Sequence, residues 1–272
     1  MEKPAIHFEN VDKSFGDEDI LRGFEMDVQA GELVAIVGPS GCGKSTLLRI
    51  IAGLETVDRG EFSIDLGSKS EDVAKDLRID SGRAPIETGF VFQEANLLPW
   101  LTTFDNVALP FRITGQTVDR KRVEEVLRLV GLPDDSFDKH PAQLSGGMKM
   151  RVSIARALVL DPRCLLLDEP FAALDDLLRT SLNLKLMDIW MQSRQTMLFV
   201  THNIAEAIFV CQKVLVMGRG TQKPRCLPIE FDYPRDKSIR SSTRFAELFA
   251  ETSALLEDCS LSKASAGIGD VK

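Results

Sequence analysis

The sequence has no long apolar run, no paired cysteines and no excess of basic residues. No stretch reaches the roughly 18 apolar residues of a transmembrane helix, and none follows Met1 closely, so we expect neither a membrane span nor a secretory signal. The five cysteines form no C-x-x-C pair and do not cluster with the three histidines, which argues against a zinc site or a disulfide framework and favours a reducing compartment. The net charge of -8 argues against nucleic acid as a partner. A membrane role would have to come through a partner protein.

A glycine-rich turn lies between a predicted strand, Leu33–Val37, and a predicted helix, Leu47–Ala52. It matches G-x-x-x-x-G-K-[ST], the pattern of a loop whose backbone N–H groups surround a phosphate at a helix N-terminus. Lys44 can reach the outer phosphates of a nucleotide, and the Ser45 hydroxyl can ligate Mg²⁺. The sequence therefore predicts nucleotide binding by Gly38, Pro39, Ser40, Gly41, Cys42, Gly43, Lys44, Ser45 and Thr46.

Two later predicted strands end in side chains suited to catalysis. Leu165–Leu167 is followed at once by Asp168 and Glu169, and Met197–Val200 is followed closely by His202. Because ligands of an α/β sheet bind outside the carboxyl ends of its strands, we expect these side chains to lie near the phosphate loop. Asp168 could hold Mg²⁺ and Glu169 could polarise an attacking water, whereas the plain alternative is a solvated acidic turn.

Three further features are ambiguous from the residues alone. Gln93 ends the predicted strand Thr88–Phe92 and either faces the same crevice or caps a turn. The turn Leu144–Gly147 precedes a predicted helix and is either a second anion site or a simple cap. Phe15 lies in a turn-like setting, where a small core aromatic is favoured over a ring that stacks on a base.

The remaining segments suggest an insert and a tail. Residues 94–150 are mostly helical in pattern, with a short helix opening at Thr103–Val107 and another over Val118–Val130. The apolar segment Asn96–Leu101 is either a buried loop or a partner surface. Residues 67–85 are polar and predict an exposed excursion, and glycines and prolines loosen the chain after Gly218 until a helix over Phe245–Leu256.

In their order, these motifs resemble the nucleotide-binding subunit of an ABC transporter over roughly residues 5–257. The matches are Gly38–Thr46 to the Walker A loop, Gln93 to the Q-loop, Leu144–Gly147 to the signature, Leu165–Glu169 to Walker B with its catalytic glutamate, Ala173–Asp175 to the D-loop and His202 to the switch histidine. Phe15 then matches the aromatic residue that stacks on adenine, which reverses the preference for a core aromatic.

Within that family, Gln93–Trp100 and Asp168–Asp175 are similar to the branch that serves nitrate, sulfonate and taurine importers, as is the helix around Phe245–Leu248. Three residues depart from the usual pattern. Phe15 stands where tyrosine is common, Met148 where glutamine is frequent and Asn203 where aspartate is common. Stacking by Phe15 should be preserved, and no loss of activity is expected from Met148.

The resemblance implies an α/β fold: a P-loop NTPase (RecA-like) core with an N-terminal antiparallel β subdomain and an inserted α-helical subdomain. The expected boundaries are 1–94 for the first part of the ATP-binding core with the β subdomain, 95–155 for the helical signature subdomain, 156–218 for the second part of the core, and 219–272 for a C-terminal extension with one helix.

The resemblance also implies a mechanism. Two subunits, identical or paralogous, close head to tail on two ATP molecules, so that Ser145, Gly146 and Gly147 of one chain complete the site of the other. The implied catalytic residues are Lys44, Glu169 and His202, with Lys44 and His202 on the γ-phosphate and Glu169 on the water. Ser45, Gln93 and Asp168 would organise Mg²⁺, and Asp175 would connect the two sites.

Partners and location follow from the same resemblance. The Gln93–Trp100 region would dock an integral membrane permease, which would explain an exposed apolar segment at Leu97–Trp100. The permease in turn works with a solute-binding protein, and the chain would sit peripherally on the cytoplasmic face of the cell membrane. A soluble ABC-type ATPase that is not coupled to transport is the main alternative; the single cassette and the acidic charge argue against it. The signature and His202 argue against a P-loop kinase, and Glu169 argues against a passive nucleotide-binding module.

Overall fold

The computed structural model describes residues 3–66, 88–172, 174–220 and 223–261. The predicted excursion at 67–85, Ala173 of the D-loop and the end of the tail lie outside the described residues. The strands are β1 (Ile6–Phe15), β2 (Glu18–Val28), β3 (Leu33–Val37), β4 (Arg59–Ile64), β5 (Thr88–Val91), β6 (Cys164–Asp168), β7 (Thr196–Val200), β8 (Lys213–Val216) and β9 (Arg225–Pro228). The helices are α1 (Lys44–Ile51), α2 (Thr103–Ile113), α3 (Arg120–Leu129), α4 (Gly146–Leu158), α5 (Asp176–Ser193), α6 (Ile204–Val210) and α7 (Thr243–Leu261).

The N-terminal strands form a three-stranded antiparallel sheet in the order β2-β1-β4. Alternating apolar residues give this sheet one buried face, where Phe8 packs edge-on against Phe24 at 5.8 Å and tilted against Phe62 at 4.6 Å between ring centroids. That face covers α1 and one side of the larger sheet, so the two sheets share a core.

The larger sheet has six strands in the order β5-β6-β7-β3-β8-β9, of which the first five are parallel and β9 is antiparallel to β8. All residues of β3, β6 and β7 are buried, as expected for parallel strands covered on both faces. In register, Ile36 pairs with Val200 and Val200 with Asp168, so the carboxyl ends of β3, β7 and β6 are level. This edge is where the predicted catalytic residues follow their strands.

The helical segment between β5 and β6 packs α2, α3 and α4 around a common core. The predicted short helix at Thr103–Val107 continues to Ile113 and passes through Pro110, although proline removes a backbone donor inside a helix. Burial of Val107, Ala108 and Phe111 holds the helix together across that position. The tertiary core therefore overrides the local proline signal.

The start of α4 and the presence of β9 differ from the sequence expectation. Helix α4 begins at Gly146, inside the turn Leu144–Gly147 that was predicted to precede it, because the Ser145 hydroxyl accepts a hydrogen bond from the Met148 amide and caps the helix there. Strand β9 was not predicted, since Pro228 lies within it and only Leu227 in it is buried; proline is tolerated there because β9 is an edge strand. Among the described helices, none has the length and apolarity to cross a membrane.

Candidate nucleotide-binding site

The predicted phosphate loop connects the carboxyl end of β3 to the N-terminus of α1. Gly41 and Gly43 adopt left-handed backbone conformations, with φ of 76° and 100°, which tighten the turn. Lys44 is 7% exposed, and its Nζ donates hydrogen bonds of 2.9 Å to the carbonyl oxygens of both Gly38 and Pro39. The lysine is thus folded back over its own loop, with its charge held above the turn.

The amides of this loop match the requirements of a bound phosphate. Within the described parts of the chain, the backbone N–H groups of Gly41 and Gly43 donate to no protein acceptor, whereas that of Lys44 donates to the Cys42 sulfur. They lie at the N-terminus of α1, whose dipole favours negative charge. Unpaired amides, a helix N-terminus and a buried lysine together fit the phosphates of a nucleotide.

A hydroxyl and a carboxylate meet beside this loop. Ser45 Oγ donates a 3.0 Å hydrogen bond to Asp168 Oδ1. Ser45 lies on α1, which follows β3, and Asp168 ends β6, and β7 lies between those two strands. Burial raises the pKa of Asp168, and the hydrogen bond from Ser45 opposes that rise. In the described ranges, no three His, Cys, Asp or Glu side chains cluster as a metal site. The Ser45 hydroxyl and the Asp168 carboxylate are two neighbouring oxygen groups of the kind that could hold Mg²⁺ together with phosphate oxygens.

The next pair lies one residue further along the same edge. His202 Nδ1 is 3.1 Å from Glu169 Oε2, with His202 exposed and Glu169 half-buried. Glu169 has a left-handed φ of 46°, and its amide donates to the Val200 carbonyl at 3.0 Å. This backbone turn takes Glu169 out of the strand direction and toward the end of β7, where His202 follows.

A buried network supports this pair, and sequence reasoning missed its centre, Glu206. The Thr201 hydroxyl and the Asn183 amide donate to the two Glu206 carboxylate oxygens at 2.6 and 2.9 Å, and burial raises the pKa of Glu206. Asn203 caps α6 by accepting from the Glu206 amide at 3.1 Å. The spacing Asn203-x-x-Glu206 is a capping pattern that could have revealed this network.

Arg219 was also missed: its guanidinium donates to the Ser40 carbonyl at 3.0 Å and holds the outer side of the phosphate loop. No short motif marks this residue, because the contact joins positions 40 and 219 through the fold. Arg156 of α4 similarly donates to the carbonyls of Ala95 and Asn96, both at 2.9 Å, and ties the signature helix to the segment after Gln93.

The other predicted site residues make no described hydrogen bond to the loop. Phe15 ends β1 and is 46% exposed, with Lys13 Nζ 5.0 Å from its ring centroid. Gln93 is exposed just beyond β5. Among the described contacts, no hydrogen bond joins the phosphate loop to Phe15, Gln93, Ser145, Gly146, Gly147 or Asp175.

The signature and D-loop residues are instead at helix N-termini. Ser145 caps α4, and Asp175 caps α5 by accepting from the Leu178 amide at 3.0 Å. Ser145 and Gly146 are exposed, whereas Gly147 is buried against the Leu178 side chain. The signature turn therefore packs on the D-loop helix and presents its polar atoms outward.

The apolar segment after Gln93 is only partly exposed. Trp100 is 70% exposed and Pro99 is also exposed, but Leu97 and Leu98 are half-buried and Leu97 packs against the core. The two leucines therefore fit the alternative of a buried loop, whereas Pro99 and Trp100 are exposed at the surface.

A glycine-rich loop after the central strand β3, a lysine folded over it, and a serine–aspartate pair across β7 define a P-loop NTPase. Comparison with known proteins narrows this class. The sequence profile of the ABC transporter family matches residues 21–172, and the chain belongs to that family as an ATP-binding ATPase subunit.

Known relatives are similar in sequence to this chain over most of its length. It is 41% identical to the aliphatic sulfonates import ATP-binding protein SsuB of Bacillus cereus (strain ZK / E33L), covering 84% of this chain and 86% of that protein. It is 42% identical to SsuB of Pectobacterium atrosepticum, covering 88% of this chain and 82% of that protein. A dimeric post-hydrolysis structure of the ATP-binding cassette MJ0796 with ADP and Pi is 33% identical, with a TM-score of 0.69 over 84% of this chain and 100% of that one.

Proposed function

We propose that this chain hydrolyses ATP in a head-to-tail dimer and thereby drives solute import through separate permease subunits, from the cytoplasmic face of the membrane. The transported solute is an aliphatic sulfonate, nitrate or taurine. A solute-binding protein works with the transporter. Two relatives named as aliphatic sulfonates import ATP-binding proteins support the importer branch, and the dimeric MJ0796 cassette supports the assembly. The observation that carries the catalytic part is the Glu169–His202 pair beside the phosphate loop.

In this proposal the phosphate loop, Gly38–Thr46, binds the phosphates of ATP, and Phe15 stacks on its base. When ATP binds, Lys44 exchanges its two carbonyl acceptors for phosphate oxygens. This exchange is favourable because an ammonium group binds an anion more strongly than it binds a neutral carbonyl. Ser45, Asp168 and Gln93 would hold Mg²⁺, which supplies positive charge against the phosphates when bound.

Glu169 orients the attacking water and accepts its proton, and His202 holds the γ-phosphate. The 3.1 Å contact between them keeps both groups at the edge where β6 and β7 end. The left-handed backbone of Glu169 is a conformation that costs free energy in a non-glycine residue, and such conformations are found at functional sites.

The second half of each site comes from the partner copy. Ser145, Gly146 and Gly147 offer a helix N-terminus with an exposed hydroxyl, which suits the γ-phosphate bound by the other chain. Asp175 would carry the state of one site to the other through α5. We assign residues 1–94 and 156–218 to the ATP-binding core, 95–155 to the helical signature subdomain and 219–272 to the extension.

Glu169→Gln tests the catalytic assignment. The variant should bind ATP normally, lose hydrolysis by about 10²-fold or more because the general base is removed, and accumulate as an ATP-bound dimer in size-exclusion chromatography. Glu61→Gln, an exposed glutamate on β4, is the matched control and should behave as wild type. Wild-type turnover in Glu169→Gln would refute the proposal.

A soluble ABC-type ATPase without a transport partner remains the competing function. It predicts hydrolysis that DNA or RNA accelerates, whereas the importer subunit should be insensitive to nucleic acid and should co-purify with its permease. Exposure of Pro99 and Trp100, which offers a docking surface beside Gln93, favours the importer.

A further inference from the structure

The carboxyl end of α6 is capped by two side chains from the C-terminal extension. Arg235 Nη1 donates to three carbonyl oxygens there, at 3.0, 3.2 and 2.9 Å, and Tyr233 Oη donates to a fourth at 2.7 Å. These carbonyls belong to Ile208, Phe209, Cys211 and Val210 respectively. Carbonyls at a helix end lack partners within the helix, so the extension supplies what α6 cannot.

Arg235 is itself held rigidly. It is 4% exposed, its Nε and Nη2 both donate to the Phe231 carbonyl at 3.2 and 3.0 Å, and its guanidinium lies 4.1 Å from the centroid of the Tyr233 ring. A buried cation at a helix carboxyl end is favourably placed against the helix dipole. Its donors therefore fix the end of α6 in one geometry.

The opposite end of α6 leads directly to the catalytic edge. His202 immediately precedes the Asn203 cap, and Thr201 is hydrogen-bonded to Glu206 on the helix. Because α6 has only seven residues, roughly 10 Å of helix separates its two capped ends. A displacement of the carboxyl end would thus move the residue that contacts Glu169.

Packing makes this coupling stiff. Ile208 and Phe209 are fully buried, Arg240 lies 4.3 Å from the centroid of the Phe209 ring, and Leu248 of α7 is fully buried against the same core. The extension encloses the carboxyl end of α6 from several sides, so α6 has little freedom to shift independently of it.

We propose that Arg235 is a positioning residue for ATP hydrolysis, which acts through α6 to hold His202 against Glu169. The inference rests on the proposed role of His202. The C-terminal extension thereby takes part in catalysis. It sets the position and orientation of the His202 side chain without contacting the nucleotide.

Arg235→Lys and Arg235→Gln test this role, with Tyr233→Phe as a milder change that deletes one hydrogen bond. Both Arg235 variants should lower kcat by about tenfold while the KM for ATP changes less than about twofold, since His202 is displaced and the phosphate loop is not. Arg244→Gln is the matched control, because Arg244 lies on the same extension with its side chain half exposed. Unchanged kcat in folded Arg235→Lys and Arg235→Gln would overturn the proposal.

Two readouts separate positioning from general loosening. The chain has only three histidines, so ring NMR signals of His7, His140 and His202 can be assigned by substitution. In Arg235→Lys and in Tyr233→Phe, the His202 ring signal should shift while those of His7 and His140 stay in place. If the ring signals of all three histidines shift, or if none does, the positioning role of Arg235 is wrong.

The second readout is a double substitution. In a His202→Ala background, Arg235→Gln should have no further effect on the residual hydrolysis, because both changes remove the same contribution. An equal tenfold loss in both backgrounds would show that Arg235 does not act through His202. If His202→Ala alone hydrolyses ATP at the wild-type rate, the proposed role of His202 fails instead, and that outcome is recognised without any Arg235 variant.

Discussion

At the scale of single residues, Gly38 occupies a place where no side chain fits. A Cβ at this position would lie 2.2 Å from the Met217 carbonyl oxygen and 2.7 Å from Cys42 Sγ. Gly38→Ala should therefore lower the free energy of unfolding by about 1–3 kcal/mol, because the Met217 backbone, directly after β8, cannot move aside cheaply. Urea denaturation measures this change.

Gly146→Ala is the control for that substitution. A Cβ on Gly146 would meet nothing within 4 Å, so stability should change by less than about 0.5 kcal/mol even if ATP hydrolysis falls. Equal unfolding midpoints for Gly38→Ala and wild type would contradict the packing argument.

Glu206 makes stability depend on pH. Burial raises its pKa above the ordinary value of 4.5 in the folded state, so the folded protein holds the proton more tightly than the unfolded chain does. Below pH 4.5 both states are protonated and no penalty exists; the penalty then grows as pH rises through the folded pKa. Glu206→Gln removes this titration.

The difference in unfolding free energy between Glu206→Gln and wild type should consequently shift in favour of the variant as pH rises from 4.5 through the raised pKa of Glu206. A constant offset from the altered hydrogen bonds to Thr201 and Asn183 is expected and cancels in this comparison. Urea denaturation curves for the two proteins that keep the same separation at every pH would disprove the titration of Glu206.

At the scale of elements, α7 belongs to the core although it follows a loosened, proline-containing segment. Leu248 is fully buried and Phe249, the next residue, is 42% exposed. Leu248→Ala should cost about 2–5 kcal/mol through lost packing and a cavity. Phe249→Ala should cost less than about 1 kcal/mol. Thermal and urea denaturation of the two variants check the difference, and equal losses would mean that α7 is not packed as described.

The extension of α2 beyond Val107 and the whole of β9 were not predicted from the sequence, and both have one cause. Helix α2 crosses Pro110 and β9 ends at Pro228, so both contain a residue that locally argues against them. In α2 the burial of Val107 and Phe111 outweighs one missing hydrogen bond, and β9 is tolerated because it lies at the sheet edge. A proline in the sequence therefore gives the wrong local prediction where tertiary packing or the position at a sheet edge determines the secondary structure.

At the scale of the whole molecule, the proposed head-to-tail dimer predicts that each ATP site needs residues from two chains. Lys44→Ala disables a phosphate loop, and Ser145→Arg blocks a signature turn, so each protein should be inactive by itself. In a mixed head-to-tail dimer, one site carries both lesions and the other carries neither. Mixing the two proteins should restore hydrolysis in those mixed dimers.

The matched control is a mixture of Lys44→Ala with Lys44→Ala Ser145→Arg, in which no intact site can form. Activity of the first mixture is measured as phosphate release against that control. If mixing restores nothing while mixed dimers are present, each site is built within one chain and the head-to-tail arrangement is wrong.

Much of the fold was accessible from the sequence because its signals are local and periodic. The strand–turn–helix around Lys44, the polar ends of β6 and β7, and the helical insert all follow from apolar spacing and glycine placement over short windows. The family and its ATPase activity follow from the order of those motifs. Pairings such as Arg219 with Ser40 leave no such local trace.

The sequence by itself determined that the glycine-rich segment Gly38–Thr46 joins a strand to a helix and that Asp168, Glu169 and His202 come at the ends of buried strands, because backbone propensity and side-chain period are properties of neighbouring residues. Only the tertiary structure decided that β7 lies between β3 and β6, which brings Ser45 to Asp168 and His202 to Glu169. It also decided that Arg235 caps α6. Strand order and long-range hydrogen bonds depend on how whole elements pack, and that packing minimises the free energy of the complete chain rather than of any segment.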